Sequence, residues 1–205
     1  DTFPDFITQF KNLNQIDIYS TDITSIPENI DRLKELKVLE LPSTIDHVPS
    51  SIYNLQHLEI LNLYDTGLEM LPEAIGKLKK LKILGLPMSL KKIPLSIYNL
   101  ENLEELYLTG QEETSLSASI LKLKKLKELF ILISIENFSS HIEGLENLEV
   151  LHLQMTGIKN IPESIGKLQK LKNLYLPAGL EKLPLSIFSL KNLDLLDIPS
   201  EAITE

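Results

Sequence analysis

Apolar residues recur along this chain in a fixed frame. In the stretch LQHLEILNLYDTGLEMLPEAIGK they fall at Leu55, Leu58, Leu61 and Leu63, then at Leu68, Leu71 and Ile75, before the frame restarts at Leu78. Side chains alternate faces along a strand, so a short strand over LEILNL turns Leu61 and Leu63 inward together, with Leu58 beside them. The residues between them face the opposite way. A turn must follow, because the next apolar positions no longer alternate.

The frame is set by anchors at Phe10, Leu33, Leu55, Leu78, Leu100, Leu123, Leu145, Leu168 and Leu190, whose spacings alternate between 23 and 22 residues. The repeating unit is therefore a pair of coils of 45 residues in all. The long period is visible directly, since the segment from Thr66 (TGLEMLPEAIGKLKKL) aligns without gaps on that from Thr156 (TGIKNIPESIGKLQKL). Proline agrees with it. All eleven prolines occupy two registers: Pro4, Pro27, Pro49, Pro72, Pro94, Pro162 and Pro184 follow an apolar residue after the turn, while Pro42, Pro87, Pro177 and Pro199 directly follow the LxL core. A residue without a backbone N–H is tolerated where ladder pairing ends. No single coil of this length can bury its own leucines, so coils must stack on one another.

The pattern LxxLxxLxL…LPxxIxxL resembles the leucine-rich-repeat family, in the class of 22 to 23 residues found in bacterial repeat proteins and in Ras-group plant and animal relatives. The resemblance spans essentially the whole chain. It implies an α/β repeat fold, a right-handed solenoid or horseshoe with a concave parallel β-sheet and convex turns or short helical segments. It further implies one domain over residues 1–205, with about eight full repeats and partial repeats at both ends. No polar cap is visible at either end, which predicts that the natural protein extends further or that its ends are disordered. One departure concerns the position three residues past LxL, commonly Asn in the family. Here it reads Thr21, Thr44, Thr66, Ser89, Gln111, Ser134, Thr156, Gly179 and Glu201. A hydroxyl satisfies fewer backbone groups than an amide, so a partial ladder and a more mobile turn are expected. A second departure lies in the fifth and sixth repeats, where Ser117 and Ser139 replace Pro and Glu113 takes a normally apolar position, which predicts that Glu113 turns outward.

Charge narrows the partners. With 29 acidic against 20 basic residues the net charge is −9, a field that repels phosphate backbones and anionic membrane surfaces. Nucleic acid is excluded as a partner on this ground, and no apolar run approaches the length of a membrane span. The chain has no cysteine, which leaves the compartment open; the bacterial resemblance leans toward a secreted or surface location over a cytoplasmic one. The lysine clusters at Lys77, Lys91–Lys92 and Lys122 interleave with the leucine frame and read as a solvated face.

Chemistry is sparse. There is no phosphate-cradling glycine loop, no GxSxG elbow and no His pair at ligand spacing. His47, His57, His141 and His152 lie in different repeats, and the neighbours Glu104–Glu105 and Glu112–Glu113 have no identifiable proton partner. The reading is a non-enzyme without cofactor or metal.

The informative positions are those between the leucines. The centre of each LxL forms a column across the sheet: Asp17, Glu40, Asn62, Gly85, Tyr107, Phe130, His152, Tyr175, Asp197. Parallel strands lie about 4.7–4.9 Å apart, so Tyr107, Phe130, His152 and Tyr175 should stack over four coils, with Tyr64, Leu132, Ile133, Val150 and Met155 around them, most of these on or near the same face. Aromatic side chains anchor interfaces, although such rungs also stabilise a sheet by stacking alone. Asp17 and Glu40 stand side by side, where a basic partner group would relieve their repulsion, or where water solvates both. Tyr64, Tyr107, Phe130, Leu132, His152 and Tyr175 are therefore the candidate partner-binding residues, with Asp17 and Glu40 as an acidic contact. The implied function is monomeric recognition of a protein, or of a glycan, on the concave face. The alternatives are a targeting segment of a larger enzyme, such as a GTPase or ligase, and a structural spacer.

Overall fold

The computed structural model describes residues 2–110, 116–135 and 140–199. Within them the strands are β1 (Gln15–Asp17), β2 (Val38–Glu40), β3 (Ile60–Asn62), β4 (Ile83–Gly85), β5 (Glu105–Leu108), β6 (Glu128–Ile131), β7 (Val150–His152), β8 (Asn173–Tyr175) and β9 (Leu195–Asp197). They pair in parallel and in sequence order into one open sheet. The register follows the repeat: Leu61 pairs with Leu84, Leu84 with Leu106, and Leu106 with Leu129. Short 3-10 turns, such as Glu73–Lys77 and Glu163–Lys167, form the opposite, convex side. No helix among the described residues is long and apolar enough to cross a membrane.

Proline sets where each convex turn begins. Pro49, Pro72, Pro94, Pro162 and Pro184 immediately precede 3-10 segments, with φ between −67° and −76°, the range the pyrrolidine ring imposes. Their carbonyls accept the first bond of the turn, as from Ile52 to Pro49 and from Ile75 to Pro72, both at 3.1 Å. Ser117 adopts the same backbone, φ −61° and ψ 133°, and its hydroxyl accepts from the Ser119 N–H at 3.2 Å. The lost proline is thus replaced by a cap at that coil. Glu113 and Ser139 lie outside the described residues.

The core is a stack of leucine and isoleucine layers, with Leu39, Leu61, Leu84, Leu106, Leu129 and Leu151 fully buried. Each such side chain contributes roughly 1.5–3 kcal/mol of burial free energy. Ile133 belongs to this core. Expected near the concave face, it is 2% exposed, because alternation continues past β6: Phe130 faces out, Ile131 in, Leu132 out and Ile133 in.

The hydroxyls past LxL behave differently in successive coils. Thr21, Thr66 and Thr156 each donate to a carbonyl three residues back in their own coil, Ile18, Leu63 and Leu153, at 2.7 Å. Thr44 and Ser89 instead donate to carbonyls of the preceding coil, Ile23 and Leu68. The ladder is therefore alternating, one class tying off its own turn and the next bonding across coils. Gly179 has no side chain to contribute and takes φ +78°, a left-handed conformation that glycine adopts at little cost.

The 45-residue period also sorts charge. The residue just before each strand segment from the second coil onward reads Lys37, Glu59, Lys82, Glu104, Lys127, Glu149, Lys172 and Asp194. Lys82 pairs with Glu59 at 2.6 Å, Lys127 with Glu104 at 2.7 Å and Lys172 with Glu149 at 2.6 Å. Fields cross the remaining gaps as well, since Glu149 and Asp194 each act on the lysine of the neighbouring coil. A neighbouring column alternates in the same way: Lys125 and Lys170 donate to the Asn102 and Asn147 side-chain carbonyls, whose amide groups donate back to Lys79 and Lys124 carbonyls. The lysines read as a solvated face thus form ordered ladders across coils.

Candidate functional site: the concave aromatic column

The centres of β5 to β8 bring the four ring-bearing side chains together. Tyr107 and Phe130 are stacked with centroids 4.3 Å apart and planes inclined by 7°. Phe130 and His152 follow at 4.5 Å and 22°, and His152 and Tyr175 at 3.6 Å and 13°. The strand spacing sets the ring spacing, so each ring lies on its neighbour without leaving its rung. All four rings are half-buried. Tyr64, from the turn after β3, meets Tyr107 edge-on at 6.3 Å and 64°. Leu132 is half-buried beside Phe130, Val150 is half-buried, and Met155 is 67% exposed.

Enclosure in the column changes proton affinities. The rings around His152 desolvate it and hold its pKa below the ordinary histidine value, an effect that the Asp197 carboxylate partly opposes. Burial, together with the nearby Glu105 carboxylate, pushes the Tyr107 hydroxyl well up. Glu105 and Glu128 pair across β5 and β6. Burial first, and then the charges of Glu105 and Glu149, raise Glu128 above the usual carboxylate range.

Asp17 and Glu40 are cross-strand partners in β1 and β2. Asp17 also accepts from the Tyr19 backbone N–H at 3.1 Å, and Asn62 does the same for Tyr64 at 3.1 Å. The Tyr19 hydroxyl reaches across two coils to donate to Asp65, and that hydrogen bond and charge raise its pKa. Sequence reading missed Tyr19, Asp65, Glu105 and Glu128, although the last two align in one column two residues before the rings. Among the concave positions of the described strands, and the positions two and three residues past LxL, no Lys or Arg occurs. The concave face is thus aromatic and acidic, while the lysines stand at its edge and on the convex side.

Two hollows bear on the choice of site. One of about 700 Å³ opens on the concave sheet over Gly85, between Tyr64 and Tyr107. Another, of about 820 Å³, lies among turn residues including His47, Gly67 and Glu69. Its wall includes Tyr53, whose buried hydroxyl has no hydrogen-bond partner and whose pKa burial pushes up to about 12. It touches none of the stacked rings. The concave hollow is continuous with Tyr107 and Phe130 and is the one that belongs to the ring column.

A single parallel sheet of stacked coils, edged by turns and exposing side chains along one curved face, defines a repeat scaffold. A family profile described as a leucine-rich repeat region matches residues 28–140, and the chain belongs to the leucine-rich-repeat family. Among solved structures it is similar to a leucine-rich-repeat protein of Leptospira interrogans, with 31% identity and a TM-score of 0.89 over 98% of this chain and 52% of that one. It is also similar to the plant peptide hormone receptor RGFR1, solved in complex with RGF2, with 28% identity and a TM-score of 0.72 over 98% of this chain and 34% of that one. An internalin C2 of Listeria monocytogenes shares the fold at 23% identity and a TM-score of 0.75, over 90% of this chain and 80% of that one. This chain therefore spans about half the length of the Leptospira protein and about a third of the plant receptor. A search of curated proteins returns no match.

Proposed function

We propose that this chain is a non-catalytic module that binds a protein partner on its concave sheet, with Tyr107, Phe130, His152 and Tyr175 as the central anchor and Tyr64 and Leu132 beside them. One observation carries the reading. Four rings are stacked and half exposed on a face whose strands already bury their leucines on the other side. Such side chains offer a large contact area at low ordering cost. The stacked geometry favours a protein over a glycan, because the inner ring faces are covered by neighbouring rings and only the edges face outward. The likeness to a plant peptide hormone receptor solved in complex with RGF2 supports a polypeptide partner. Asp17 and Glu40 add an acidic contact at one end of the column.

The test is a variant carrying Tyr107→Ala and Phe130→Ala, measured by calorimetry against a partner recovered with the intact protein. Loss of about tenfold or more in affinity, roughly 1.4 kcal/mol, with an unchanged circular dichroism spectrum, is expected. An affinity equal to that of the parent overturns the assignment.

A further inference from the structure

The column of side chains on the concave face is interrupted at one rung. Gly85 occupies the place between Asn62 and Tyr107; it has no side chain of its own, the Asn62 side-chain oxygen and the Tyr64 Cβ lean over it, and the last ring of the stack ends beside an open space. That space is the hollow of about 700 Å³. Its floor is Gly85 with Ile60 and Ile83, both half-buried. Tyr64 and Tyr107 wall it, with planes inclined by 64°. Its rim carries three carboxylates, Glu40, Asp65 and Glu105, from three different coils.

Each part of this arrangement suits a cation. Aromatic faces attract a positive charge within about 6 Å of the ring centroid. One of the three carboxylates, Asp65, already accepts a hydrogen bond from the Tyr19 hydroxyl, and an ionised carboxylate has capacity for further donors. No Lys or Arg stands on the concave positions of the described strands to neutralise them. Across β5 and β6, Glu105 also faces Glu128 directly, a like-charge pairing that a bound cation relieves. The whole chain, at −9, draws a basic segment toward this face.

We infer that the hollow over Gly85 is a receptor for a basic side chain of the protein partner, an arginine above all, with Tyr64 and Tyr107 packing against the guanidinium and Glu105, Glu40 and Asp65 accepting its hydrogens. This rests on the concave-face reading above and specifies what that face selects. Arginine fits better than lysine because its guanidinium is flat, stacks on rings, is less strongly hydrated and carries five donors for carboxylates on several sides.

The experiment uses small probes with the intact chain. Nα-acetyl-arginine methylamide is titrated into protein with labelled isoleucine methyl groups, beside its uncharged citrulline counterpart of nearly the same shape. Saturable shifts at Ile60 and Ile83 are expected, with affinity for the citrulline probe at least about tenfold lower. Glu105→Gln should weaken the arginine probe by about fivefold or more. Gly85→Leu should abolish its binding. The added Cβ would meet the Asn62 side-chain oxygen at 2.7 Å, so Asn62 must turn aside and give up its bond from the Tyr64 N–H; the distant methyl spectrum should stay unchanged, which separates a filled hollow from an unfolded coil. Shifts that do not saturate, equal affinity for citrulline, or shifts confined to the Asp17 or Asp197 ends overturn the inference. If the arginine probe fails while Tyr107→Ala with Phe130→Ala still weakens the partner, only the hollow assignment falls. If the probe binds there but the double variant leaves partner affinity unchanged, the cation site stands and the broader anchor reading falls.

Discussion

Tyr107 and Phe130, 23 residues apart in the chain, lie face to face at 4.3 Å. Their contact is created entirely by the parallel register of β5 and β6, so it reports on the sheet. A double-mutant cycle to Ala at these positions, followed by urea unfolding, should give a coupling of about 0.5–1.5 kcal/mol. The same cycle between Tyr107 and Tyr175, three strands apart in the sheet, should give a value near zero. Equal couplings would mean that the rings do not act as neighbours.

The alternating ion ladder behaves differently from isolated pairs. Exchanging one pair with Glu104→Lys and Lys127→Glu keeps those two groups complementary, but sets the new lysine against Lys82 and the new glutamate against Glu149. The double variant should therefore remain less stable than the parent at low salt. The difference should close in 1 M salt, where the Debye length falls to about 3 Å. Full recovery at low salt would show the pairs to be independent.

Two groups in the column should give pH dependences of opposite sign. His152 is depressed in the folded chain, mainly by desolvation, so the neutral form is favoured by folding. Its contribution is fully present above the ordinary histidine value of 6.5 and is lost as pH falls through the lower folded value. His152→Phe should flatten that part of the stability profile, measured by denaturant midpoints between pH 5 and 8.

Glu128 runs the other way. Its folded value is raised by burial and by Glu105 and Glu149, so its contribution is present below the ordinary 4.5 and is lost as pH rises through the folded value. Glu128→Gln should be more stable than the parent at pH 7, and the gain should vanish below pH 4. A gain independent of pH would assign the effect to something other than ionisation.

The convex side has its own close contact. A Cβ on Gly166 would lie 2.5 Å from the Ser186 carbonyl oxygen and 2.7 Å from the Ser186 Cβ. Backbone cannot move aside as a flexible side-chain end can, so Gly166→Ala should cost about 1–3 kcal/mol in thermal or chemical unfolding. A neutral result would indicate that adjacent coils separate there at little cost.

Much of this was legible in the sequence because the repeat converts sequence distance into spatial adjacency. The strands, the ring column and the Asp17–Glu40 neighbourhood all follow from counting along one frame. What was not legible depends on side-chain direction or on reading across coils. Ile133, grouped with the residues around the rings, lies in the core because the alternation simply continues past β6. Glu104 and Glu105 have no partner as chain neighbours, yet across coils Glu104 pairs with Lys127 and Glu105 faces Glu128. The hollow over Gly85 required knowing that Tyr64 leans toward Tyr107, which no spacing rule supplies.

The alternation of Lys and acidic residues from coil to coil gives the solenoid a parity. Odd and even coils form two sublattices, distinguished from the second coil onward by charge before the strand and, at Thr21, Thr44, Thr66, Ser89 and Thr156, by whether the hydroxyl bonds its own turn or the preceding one. Excising two adjacent coils leaves every rung facing its opposite, whereas excising one brings two like rungs together at the seam. The array can change length freely only in steps of two, a selection rule written into its surface rather than its leucine core.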